Sequence, residues 1–119
     1  MQENRQIAIE RFAVLIASLE LLEAQLKPTR SAYDGILRRL LDGEDVDAAL
    51  RAEDVSSNRE LLTTALRQFE RTRHLTRVAL IKAQVEEGTS ISAASQTWGV
   101  SRQLASRYVN LPDPDTSAH

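Results

Sequence analysis

The residue types that make and break bonds are sparse in this chain. It has no cysteine, which removes disulfides, thiolate metal sites and cysteine nucleophiles together. His74 is the only histidine outside the last residues, and with no clustered partner it predicts an exposed side chain, not a metal ligand. Serines are plentiful, but none sits in a Gly-flanked elbow with His and Asp at hand, and no Gly-rich phosphate loop occurs. The run "DGEDVD" puts four acidic residues in six. It resembles a calcium loop only in composition, because its glycine is second where such a loop needs it sixth, and the closing Glu is missing. It reads as an acidic turn feeding a helix start. The sequence therefore points away from an enzyme and requires no cofactor.

What remains is a set of hydrogen-bonding side chains on one short stretch, "SAASQTWGVSRQLASRYV", residues 92–109. Gly99 supplies the backbone freedom that a tight turn between two short helices demands. Ala94 and Ser95 are small enough to let those helices approach. Ile91, Trp98, Val100, Leu104 and Tyr108 have the spacing of an internal plug, so Trp98 and Tyr108 are expected in the core and not stacked on bases. Ser101 can cap the second helix, which leaves Arg102, Gln103, Ser106, Arg107 and Asn110 facing outward.

The elements that must carry this stretch are helical. Four glycines and three prolines in 119 residues, with 42% hydrophobic and 27% charged residues, describe a globular all-α chain with few breakers. Ile9, Phe12, Ile16, Leu19 and Leu26 recur at helical intervals, widened by Leu15 and Leu22, and predict a long helix over 5–26 that is apolar on more than one face. Lys27 and Pro28 predict its end, and Pro28 can open a second helix over about 29–42, stopped at Gly43. Asp45 or Asp47 can cap a short helix through Leu50. Ser57 and Glu60 form a capping-box pattern that predicts a third long helix from 57 to 87, with a break possible in the polar run near 71–74 and Gly88 as its C-terminal cap. The segment 112–119 reads as a disordered tail.

Charge divides the chain as the elements do. Formal net charge is −2. Residues 1–69 hold nine basic and twelve acidic side chains, whereas residues 70–111 hold six basic and three acidic. The positive part coincides with the 92–109 stretch, as a nucleic-acid contact requires. No apolar run reaches the roughly 20 residues of a membrane span, and no signal pattern opens the chain, so a cytoplasmic, nucleoid-associated location is expected.

The motifs "EEG", "AAS…WGVSRQ" and "YV", at their spacing over the C-terminal third, resemble the bacterial helix-turn-helix superfamily. The trihelical form found at the end of serine recombinases and in small repressors is the most similar. The sequence departs from that pattern at Ser95, where Ala is more usual, and at Ala105, where a larger aliphatic is usual; Trp98 is bulkier than the common Leu. The resemblance implies that the helix from Ser101 to Asn110 enters the major groove of double-stranded DNA. Arg102 would then meet guanine and Gln103 adenine. Ser101, Thr89, Ser90 and the N–H groups at helix starts would serve phosphates, with Ser106 and Arg107 in either role. Arg73 and Arg77 (with Arg71) add phosphate contacts if their face turns to DNA, and otherwise form a solvated helix face.

The expected organisation is thus a helical core or dimerisation region over 1–70 and a helix-turn-helix unit over 71–111. The N-terminal stripes fit either an intramolecular bundle or a homodimer that presents two C-terminal units at a fixed spacing. The expected function is a sequence-specific DNA-binding regulator, a small bacterial or mobile-element repressor. The alternative is a helical protein–protein interaction module, or an accessory protein of partition, replication or recombination.

Overall fold

A computed structural model describes residues 3–112 of the protein. The expected tail falls outside the described residues except for Pro112. Among the described residues there are five α-helices and no strand: α1 (Glu3–Leu41), α2 (Val46–Ala52), α3 (Val55–Glu86), α4 (Ile91–Trp98) and α5 (Arg102–Asn110). None of them is long and apolar enough to cross a membrane.

Two boundaries differ from expectation. Helix α1 does not stop at Lys27; it runs through Pro28 as one helix of 39 residues. An interior proline costs the helix about 3 kcal/mol and one hydrogen bond, so something must offset it. The inward residues Ser18, Leu22, Gln25, Thr29, Ala32, Ile36 and Arg39 follow one another at alternating intervals of four and three, and Pro28 lies on the exposed side of that row. The row is not interrupted. Thr29, buried directly after the proline, donates its hydroxyl to the Gln25 carbonyl (2.8 Å) and accepts from Asn58 Nδ2 (3.3 Å). These bonds hold the turn that follows the proline in helical register.

Helix α3 begins at Val55, so Ser57 and Glu60 lie within its first two turns and do not form the expected capping box. The cause is Asp54, two residues beyond α2, which takes a left-handed backbone conformation (φ 49°). Asp tolerates that geometry better than most residues. The turn is completed early, and Asn58 N–H already bonds the Asp54 carbonyl at 3.2 Å. No break occurs near 71–74.

The chain divides into two compact units, one formed by residues up to Leu15 with residues from Thr72 onward, the other by Ile16–Arg71. Residues 3–15 therefore cluster with the C-terminal part and not with the N-terminal region expected over 1–70. Small side chains make this possible: Ala8 is buried against Ala79 and Ala83, with Ile7 and Leu80 beside them. The buried Thr76 hydroxyl has two carbonyls within reach of its single proton, Thr72 of its own helix at 2.7 Å and Arg11 at 3.1 Å.

In the 16–71 unit, Asp45 caps α2 by accepting from Ala48 N–H at 3.1 Å, and Ala49 is fully buried. A Cβ on the mid-helix Gly35 would meet the Glu53 carboxylate at 2.5 Å, so a side chain there would displace that carboxylate. That carboxylate accepts from Arg39 Nε at 3.0 Å, and Glu44 accepts from the same guanidinium at 3.2 Å. The Glu53 hydrogen bond, followed by the Glu44 charge, raises the Arg39 pKa above its ordinary value.

Candidate nucleic-acid interface

The outward residues of α5 are positioned by two caps and a plug. Helix α4 starts at Ser90, whose Oγ accepts from Ala93 N–H at 3.0 Å. It ends at Gly99, whose φ of 66° lets Gly99 N–H reach the Gln96 carbonyl (3.3 Å) and Val100 N–H the Ser95 carbonyl (3.0 Å). This pair of bonds satisfies the last carbonyls of the helix and reverses the chain within one residue. Two residues later Ser101 Oγ accepts from Leu104 N–H at 3.0 Å and opens α5. Gly88 ends α3 by the same device, with Gly88 N–H on Val85 and Thr89 N–H on Gln84 at 3.1 and 2.8 Å.

The plug consists of Val78, Ile81, Ala94, Ala105 and Tyr108, all buried, with Ile91, Trp98, Val100, Leu104 and Val109 packed against them. Ala94 and Ala105 have no exposed surface. Ala105, where a larger aliphatic is usual in the pattern it resembles, is fully enclosed, and Trp98 is among the larger side chains around that cluster. The indole N–H of Trp98 is satisfied by Gln84 Oε1 at 3.0 Å, which makes a large half-buried aromatic compatible with its surroundings. Gln84 carries no sequence signal for this role; it becomes evident only when α3 and α4 are side by side.

Arg102, Gln103, Arg107 and Asn110 are exposed on α5, and Ser106 is half-buried. Arg102, Gln103 and Ser106 line a shallow open hollow. Asn110 is partly committed, since its Nδ2 donates to the Ser106 carbonyl at 3.0 Å. Ser90 and Ser101 are exposed but act first as caps, and Thr89 is half-buried.

The arginines of α3 do not form one row with these residues. Arg73 is exposed, whereas Arg77 is half-buried and turned onto α5. Its guanidinium donates to the Tyr108 hydroxyl at 3.1 Å and lies 5.5 Å from the centre of the Tyr108 ring. His74, exposed as expected, meets the other side of this contact edge-on, with ring centres 5.6 Å apart. Arg77 therefore anchors the C-terminal half of α5. Lys82 Nζ donates to the Leu111 carbonyl just beyond that helix. Among the described residues no group of three or more His, Asp or Glu side chains is arranged to hold a metal ion.

This arrangement can present two forked or planar hydrogen-bonding side chains, Arg102 and Gln103, side by side on the first turn of a rigid short helix. No protein-family model matches the chain, and no curated protein or solved structure is similar to it.

Proposed function

We propose that this protein binds double-stranded DNA and reads sequence through α5, as a small transcriptional regulator of the repressor kind acting as a homodimer. The observation that carries the reading is the division of α5 into two faces. Ala105 and Tyr108 are buried, and Arg102, Gln103 and Arg107 are exposed on a helix fixed at its start by Ser101 and at its end by Arg77. A nine-residue helix is about 13 Å long, comparable to the roughly 12 Å width of the major groove. Arg102 and Gln103 are the side chains assigned to base edges, and Arg107, Thr89 and Arg73 those assigned to phosphates. Ser90, Ser101 and the N–H groups they leave at the helix starts join the phosphate set. Arg77 positions α5 in this account and does not contact DNA itself.

Selection of bound sequences from a random duplex pool tests the reading. The expected result is a preferred sequence made of two half-sites, with affinity that falls steeply as salt rises. Equal, weak retention of every sequence at low salt would reject it.

A second reading, a helical interaction module or an accessory protein of partition, replication or recombination, draws on a different observation. Large apolar side chains stand exposed along α1, among them Leu19, Leu26 and Leu37. Under this reading the helical body is the functional surface, and the random pool yields no preferred sequence.

A further inference from the structure

Within the 16–71 unit, α1 carries two rows of residues at heptad spacing. The first row, Ser18 to Arg39, is inward and is occupied by the chain's own helices through contacts such as Thr29 to Asn58 and Arg39 to Glu53. The second row is Ile16, Leu19, Glu23, Leu26, Arg30, Tyr33, Leu37 and Leu40, with intervals of three and four throughout. Its six apolar members are between 39% and 56% exposed. A 3–4 repeat of large apolar residues interrupted at only two positions is the pattern of a helix-pairing seam, and a contiguous exposed apolar stripe marks an interaction surface.

The two charged members say what covers it. In a parallel, in-register pair each of these positions faces itself, so Glu23 would meet Glu23 of the second copy and Arg30 would meet Arg30. Both layers would bury like charges. In an antiparallel pair the layers cross, and two registers fit the heptad arithmetic: Ile16 opposite Leu40 of the second copy, or Ile16 opposite Tyr33. In both, Glu23 comes one layer from Arg30 of the other copy, twice per dimer by symmetry. The competing partner of Arg30 within its own helix is Asp34, at a marginal 3.9 Å and largely exposed, so little is lost by exchanging it. A membrane surface would have to accommodate both charges with no counter-charge from a partner helix.

We infer that this row of α1 pairs with the same row of a second copy of the chain, antiparallel, with Glu23 and Arg30 cross-paired between copies. The inference specifies the pairing surface of the homodimer proposed above, but it does not depend on DNA contact.

Because the chain contains no cysteine, disulfide trapping in the full-length protein without DNA reads the arrangement directly. Ile16→Cys, Tyr33→Cys and Leu40→Cys proteins are oxidised alone and in mixtures, with helix content checked by circular dichroism. The expected outcome is a mixed disulfide between Ile16→Cys and either Leu40→Cys or Tyr33→Cys, and no covalent dimer from Leu40→Cys alone. Efficient self-disulfides at both Ile16→Cys and Leu40→Cys would establish a parallel pair and overturn the inference, as would a monomeric mass at every concentration. Charge exchange gives a second readout. Glu23→Arg alone should weaken self-association about tenfold, and adding Arg30→Glu should restore it; failure of the double exchange to restore it counts against the cross-pairing. A chain that pairs in this way yet selects no DNA sequence would remove the DNA reading and leave this one standing.

Discussion

The helices α4 and α5 close a core against α3, whereas the 16–40 stretch of α1 buries few of its large apolar residues. In the first, Val78, Ile81, Ala94, Ala105 and Tyr108 form one buried cluster, and the helix ends about it are capped by Gly88, Ser90, Gly99 and Ser101. In the second, the fully inward positions of α1 are Ser18, Leu22 and Thr29, of which only one is a large apolar residue. The larger apolar residues of that helix segment stand on the adjacent face. The difference separates two uses of the same composition. Around α4 and α5 the apolar side chains hold a polar face rigid, and along the 16–40 stretch of α1 they are left available to a partner.

Truncation breaks this comparison most strongly. Ile81 is fully buried, so Ile81→Ala should destabilise the protein by about 2–5 kcal/mol at every protein concentration in thermal or denaturant unfolding. Leu37, 56% exposed, should behave differently: the effect of Leu37→Ala should grow with protein concentration, because it acts on association. If both substitutions cost the same at all concentrations, the division of labour is wrong. A smaller effect sharpens the role of the turn. A Cβ on Gly99 would meet nothing within 4 Å, but φ is 66°, so Gly99→Ala should cost about 1–2 kcal/mol through backbone strain alone. A loss several times larger would mean that the turn is packed against something else.

The parts of the fold that were legible in the sequence are those fixed by neighbours in the chain. Gly99 and Ser101 each announce a local backbone requirement, and the Ile91–Trp98–Leu104–Tyr108 spacing announces a local plug. A cap for α2 at Asp45 or Asp47 belongs to the same class, and Asp45 is the residue used. What the sequence concealed depends on partners distant in the chain. Pro28 reads as a stop unless one knows that Asn58 holds Thr29 from across the unit. The membership of residues 3–15 in the C-terminal unit rests on Ala8 meeting Ala79 and Ala83, and alanine carries almost no pattern signal. Arg77 reads as one of three cations on a helix face; only the return of Tyr108 onto α3 draws it inward. Helix α3 starts before the Ser57–Glu60 pattern because a single left-handed Asp54 outweighs it.

If Arg102 and Gln103 read DNA sequence from the first turn of α5, as proposed, they contribute nothing to the fold. Arg102→Ala combined with Gln103→Ala tests it most directly, measured as affinity for the selected duplex and for an unrelated one, beside unfolding of both proteins. Each base contact removed should cost about 1–3 kcal/mol of discrimination. Preference for the selected sequence should therefore collapse while unfolding is unchanged within about 0.5 kcal/mol. An undiminished preference in the double variant would contradict it.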